Sequence, residues 1–227
     1  MKMPTLLKMK MKVLTIDGPS GVGKGTVSRI VAEQLGWDYL DSGAIYRVLA
    51  YAVKDQKIDP TDVSSLVMVA KNLPLVFNGV EVYSGVVRVT ELIRSEECGQ
   101  LASKVSAHLE VRAALLERQR KFATEKGLIA DGRDMGTIVF PEAPLKIYLT
   151  ATSEVRARRR LGQLRQAGED VSFAALLREI EVRDERDTNR SVAPLKPAPD
   201  AIIIDTSELS IQAVCDQILS FARPIFS

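Results

Sequence analysis

The chain is poor in the residues that most catalytic chemistries rely on. It has one histidine, His108, so mechanisms built on histidine pairs and histidine-rich metal sites are excluded. It has two cysteines, Cys98 and Cys215, far apart and without C-x-x-C spacing. That excludes a disulfide framework and a cysteine zinc site, and leaves two buried structural thiols as the expectation. Aromatic residues make up 5% of the chain, with a single tryptophan. The arginine-rich segment carries one aromatic, Phe173, so neither base stacking nor a nucleic-acid partner is expected. No apolar run approaches bilayer length, so no membrane span is expected. The first dozen residues hold Lys2, Lys8, Lys10 and Lys12 around a short apolar stretch, too short for a signal peptide. A flexible extension over 1–11 and a cytoplasmic protein are the expectations. A net charge of +2 on 227 residues points to no particular partner. A monomer is expected.

What is present begins with Gly18-Pro19-Ser20-Gly21-Val22-Gly23-Lys24-Gly25-Thr26. It follows the apolar run Val13–Ile16 and opens a helical pattern of Val27, Ile30, Val31 and Leu35. Such a loop turns backbone N–H groups toward one point at a helix N-terminus, which makes an anion site. The spacing fits G-x-x-x-x-G-K, with Lys24 placed to reach β and γ phosphates. Gly25 stands where many such loops carry a Ser or Thr that ligates Mg²⁺, and Thr26 comes one residue late.

Periodicity predicts buried strands over 12–17, 37–41, 127–131, 145–149 and 201–205. Helices fall between them, with one ending near Gly36, one opening at Ser42, one over 60–74 and one over 208–222. Helical pattern over 91–107 and 109–125 leaves open whether these are separate. From 75 to 89 the period changes to two, and Asn78-Gly79 and Ser84-Gly85 supply tight turns. The expected fold is α/β. Its mostly parallel five-stranded sheet is covered by helices, with a small antiparallel β insertion at 65–89. The core is expected over 12–64 and 90–222, with a helical cover over about 153–190.

In open parallel sheets, ligands sit outside the carboxyl ends of the strands. That rule selects Asp17 with the glycine loop, Asp41-Ser42, Asp131 to Asp134, and the segment after Leu149. An acid in such a place also serves as an ordinary helix cap. Asp131 ends an apolar strand, where an acid can meet Mg²⁺ through a water; no direct metal ligand is identified. Residues 156–190 hold nine arginines and seven acids. Arg156, Arg159 and Arg160 share a helical face, as do Arg183, Arg186, Asp187 and Arg190. By pattern alone this is either a solvated face or an arginine-lined cover over polyphosphate.

Four blocks together resemble the bacterial cytidylate kinases. They are Asp17 to Thr26, Asp41 to Arg47, Ala130 to Thr137, and Arg183 to Arg190 running into Pro194. The resemblance covers about Lys12 to Ala222 and implies a P-loop fold whose β insertion helps bind the acceptor. It implies transfer of the γ-phosphoryl group of ATP, with Mg²⁺, to CMP or dCMP. Carried over by position, the loop from Gly18 to Thr26 would bind ATP, helped by Arg159 and Arg160. Ser42, Ser103, Arg112 and Asp134 would face cytosine, and Arg47 the acceptor phosphate. Arg183 and Asp187 would lie at the pentose. Lys24, Arg133 and Arg190 would serve phosphoryl transfer itself.

Overall fold

The structure is a computed structural model and describes residues 11–226 except 80 and 167. The expected extension, save its last residue, and Val80 therefore lie outside the described residues. Strand β1, Val13–Asp17, runs through the middle of a five-stranded parallel sheet. Its neighbours are β6 (Leu128–Gly132) and β7 (Leu145–Thr150); β2 (Asp38–Asp41) and β8 (Ile202–Asp205) form the edges, giving the order β2-β6-β1-β7-β8. A central parallel strand is covered on both faces, which explains why all of its residues are buried. Leu14 and Ile16 are fully buried, and each such side chain contributes about 1.5–3 kcal/mol.

Two cores flank the sheet. One joins α2 (Ser42–Asp55), α3 (Val63–Lys71), α4 (Glu96–Val105) and α5 (Leu109–Arg120), with Ile45, Leu49, Leu66 and Leu115 buried in it. The other joins α1 (Lys24–Leu35) to α8 (Ile211–Phe226) through Val27, Val31, Cys215 and Ile218. Cys98 and Cys215 are both free and buried. Strands β3 (Leu75–Asn78), β4 (Glu81–Ser84) and β5 (Val87–Arg88) form a separate antiparallel sheet, turned at Gly79 and Gly85 as the alternation predicts.

Several boundaries differ from the sequence expectation. The helix expected over 60–74 is α3 alone, because Asp62 caps it by accepting the Ser65 N–H at 3.1 Å. The 91–107 pattern splits into a 3-10 turn, Leu92–Arg94, and α4, because the Ser95 side chain caps a new helix. Helix α2 does open at Ser42, capped by Asp41, which accepts the Ala44 N–H at 2.9 Å. Helix α8 starts at 211 and reaches 226, taking Pro224 into its last turn. A π turn over Met135–Val139, which periodicity does not signal, follows β6 after Arg133 and Asp134. His108 flanks α5 with its Nε2 3.1 Å from the Pro60 carbonyl, a structural contact. No helix among the described residues is long and apolar enough to cross a membrane.

Candidate active site

All five parallel strands deliver their carboxyl ends to one side, where a cavity of about 740 Å³ opens. The glycine loop forms its floor. Gly18 leaves β1 at φ 148°, and a Cβ there would lie 2.2 Å from the Leu149 carbonyl oxygen. Only glycine lets the loop pass this close to β7. Gly23 takes φ 97° as it caps α1, which leaves the first N–H groups of that helix facing outward. Ser20 through Thr26 line the cavity, whereas Gly18 and Pro19 do not. Gly18 is spent on the approach to β7. Pro19 instead offers its carbonyl to Lys24 Nζ at 2.8 Å.

Lys24 is buried, and burial followed by the nearby Arg133 charge pushes its pKa well down. Asp131, Asp17 and Asp41 oppose that shift. The Asp131 carboxyl is pushed up by burial and accepts the Tyr39 hydroxyl at 3.2 Å. Its Oδ2 lies 3.6 Å from where a Cβ on Gly25 would sit, so the bare Gly25 leaves the carboxylate open on the loop side.

Across the cavity, Arg47, Arg133, Arg183 and Arg190 face the same space as Lys24. Arg47 is anchored by the Ile93 carbonyl at 2.6 Å and the Ser95 carbonyl at 3.2 Å. Arg133 Nε donates to Asp187 at 3.2 Å, and Ser103 Oγ donates to the other oxygen of that carboxylate at 3.2 Å. Burial works to raise the Asp187 pKa, yet Arg133, Arg183 and Arg190 together hold it below the usual carboxylate value. Burial and the Arg133 charge lower Arg183 to about 10. Arg190 donates to the carbonyl of Ala193, a non-glycine residue held at φ 48°. Arg112 forms a buried ion pair with Asp134 and lies 5.4 Å over the Tyr46 ring. Among the described residues, Arg183 Nε and Arg190 Nη2 are buried without a hydrogen-bond partner. Buried donors left open in a cation-rich cavity are matched to an anionic ligand.

Helices α6 (Ser153–Gln166) and α7 (Phe173–Asn189) carry the arginine segment. The three arginines read as one face on α6 have three separate uses. Arg156 is buried and donates to the Ala151 carbonyl at 3.1 Å, the Ser20 carbonyl at 3.0 Å, and Asp184. Arg159 reaches Thr206 Oγ1 at 3.1 Å, and Arg160 lines the open rim. On α7, Arg183 and Asp187 turn inward while Arg186 meets Gln100 on α4 at 3.1 Å. The solvated-face alternative therefore fails for Arg156, Arg159, Arg183 and Asp187.

Sequence reading missed two contributors. Thr206 lines the cavity at the end of β8; the carboxyl-end rule would have found it had it been applied to that strand. Gln119 accepts the Ser42 hydroxyl at 2.8 Å from a buried position on α5, and no local pattern signals it. Asp17 was selected as a strand-end acid, but it is absent from the cavity lining. Its carboxylate accepts the Met135 and Gly136 N–H groups, both at 2.8 Å. It thereby ties the glycine loop to the turn that presents Arg133 and Asp134.

Burial raises the Asp17 pKa from its ordinary 3.8 to about 7, against the two backbone hydrogen bonds. The folded protein thus holds a proton that the unfolded chain releases between these values. The Asp17 contribution to stability is complete below the lower value and is lost as pH rises through the upper one. Asp17→Asn is expected to flatten this part of the pH dependence. It should also lower stability by about 1–3 kcal/mol, because the amide NH₂ would face one of the two N–H donors, which bond separate carboxylate oxygens. Urea unfolding at pH 5 and pH 8 checks both; an unchanged pH slope would exclude Asp17 as its source.

Comparison with known proteins shows the family. A family profile described as cytidylate kinase matches residues 14–224. A cytidylate kinase of Colwellia psychrerythraea is 55% identical over 216 residues, 93% of this chain and 96% of the relative. One of Dichelobacter nodosus is 54% identical over 211 residues, 91% of this chain and 94% of the relative. A solved structure of an uncharacterized protein from Eubacterium ventriosum shares the fold. Its TM-score is 0.53 at 14% identity, covering 95% of this chain and 99% of that one.

Proposed function

Since the chain belongs to the cytidylate kinase family, we propose that this cavity is where it transfers the γ-phosphoryl group of ATP to CMP or dCMP. The observation that carries the assignment is the convergence of Lys24, Arg47, Arg133, Arg183 and Arg190 on one cavity, with open buried donors among them. Two polyanions must meet there against repulsion of roughly 4 kcal/mol per pair of unit charges 4 Å apart at an effective dielectric near 20. Five cations around one space oppose that repulsion.

The glycine loop and Lys24 hold the triphosphate, with Arg159, Arg160 and Thr206 toward its nucleoside side. Arg47 and Arg190 take the acceptor phosphate. Arg133 stands between the two sites and stabilises charge on the group in transit. Ser42, Ser103, Arg112 and Asp134 meet cytosine, and Arg183 with Asp187 meets the pentose. A phosphate monoester is already largely ionised near neutral pH, so the chain needs no general base. Such a reaction is driven by positioning and electrostatics.

Mg²⁺ accompanying ATP would neutralise and align its phosphates. Among the described residues no cluster of three acidic, His or Cys groups could hold a metal alone. Asp131 suits contact through water, as a carboxylate left open beside Gly25. Helices α6 and α7 act as a lid that excludes water when both nucleotides are present. The β3–β5 sheet belongs to the acceptor-binding insertion. Free buried thiols suit a reducing compartment, which supports action in the cytoplasm, and we take the working unit to be one chain.

An acceptor panel tests the function. With ATP and Mg²⁺, CMP and dCMP are expected to release ADP at least tenfold faster than UMP or AMP. Equal rates across the panel would overturn the base assignment.

A further inference from the structure

We infer that Gln119, a residue behind the cavity wall, adds to the preference for cytosine over uracil that Ser103, Arg112 and Asp134 share, by fixing the proton of Ser42. The inference rests on the acceptor site assigned above. Ser42 lines the cavity and is 3% exposed, and Gln119 is 1% exposed and does not line it. The two side chains are 2.8 Å apart.

The argument is one of proton accounting. The Gln119 amide nitrogen lies 3.4 Å from the Leu115 carbonyl oxygen. A carbonyl oxygen only accepts, so the NH₂ end of the amide belongs on that side. The amide oxygen then faces Ser42, and an amide oxygen also only accepts. The Ser42 hydroxyl must therefore donate to Gln119, and its single proton is spent behind the wall. What Ser42 turns toward the cavity is a pair of lone pairs.

Arg112 lines the same cavity, and its guanidinium has donors but no acceptor. Ser42 and Arg112 thus present one acceptor and one donor. Cytosine offers an amino donor beside acceptors, whereas uracil carries an oxygen in place of the amino group. Uracil would set that oxygen against the Ser42 lone pairs. A free serine would rotate and donate to it, and Gln119 removes that option. Gln119 is a positioning residue; it touches neither substrate.

The test compares kcat/KM for CMP and UMP in the full-length wild type, Gln119→Met, Gln119→Glu, Ser42→Ala and the double variant Gln119→Met with Ser42→Ala. Gln119→Met keeps the volume but removes the acceptor. It is expected to lower the CMP-to-UMP ratio at least tenfold while leaving the KM for ATP unchanged. Gln119→Glu keeps an acceptor oxygen and should retain most of the preference. Ser42→Ala should lower the ratio by a similar factor, and the double variant no further, because both act through one hydroxyl. An unchanged ratio in Gln119→Met, or factors that multiply in the double variant, would overturn the inference. Gln119→Leu, read in the same way, decides the matter if the methionine variant does not fold. Absence of CMP turnover in the wild type would instead refute the function on which the inference rests.

Discussion

Lys24→Met is expected to leave a folded protein that phosphorylates CMP at least about 10³-fold more slowly at saturating nucleotide. Lys24 Nζ waits against the Pro19 carbonyl, 2.8 Å away, at the base of a loop that directs N–H groups into the cavity. Burial and Arg133 both disfavour its charge in the free protein. An incoming triphosphate supplies the missing counter-charge, so the ammonium is stabilised where negative charge accumulates. Methionine matches the aliphatic stem and fills the same space, so the loss falls on electrostatics rather than packing. The measurement is coupled ADP release, with thermal unfolding as the control for folding. Turnover within tenfold of wild type would remove Lys24 from the transfer step.

The second large effect is expected at Arg133. Arg133→Met should lower kcat by about 10³-fold, since a guanidinium on the transferred group contributes on that scale in phosphoryl transfer. Arg133 is the charge that most strongly depresses the pKa of Lys24, and it also pairs with Asp187. It therefore stands between Lys24 of the glycine loop and Asp187 of the opposite wall. Arg133→Lys keeps the charge but loses the planar fork, and should recover only part of the rate. Asp187 keeps Ser103 and the nearby Arg183 and Arg190 in either variant, so the acceptor wall should persist. Steady-state kinetics in both nucleotides checks this. A pure rise in the KM for CMP at wild-type kcat would place Arg133 in binding alone.

Much of the fold was legible because its signals are local. The apolar run into Gly18 and the spacing to Lys24 place a strand, a loop and a helix without reference to any other segment. The shift to period two after Leu75 marks the small sheet in the same way. Helix ends were less legible, because caps such as Asp62 and Ser95 compete with equally plausible neighbours. The arginine helices could not be resolved from sequence at all. Arg156, Arg159 and Arg160 share a helical face, yet one binds the back of the glycine loop, one meets Thr206 and one lines the rim.

The amino-acid sequence alone determined the order of strands and helices, the phosphate-binding loop and the residue types able to meet a polyanion. Those properties depend on spacing along one stretch of chain. Tertiary structure decided the work of Asp17 and Gln119, and the inward turn of Arg183 and Asp187. Asp17 meets its partners 118 and 119 positions away, and Gln119 lies 77 positions from Ser42. Whether a carboxylate ends as a cap, a strut or a ligand depends on what burial brings beside it. Burial is a property of the packed sheet and helices, which no single segment carries.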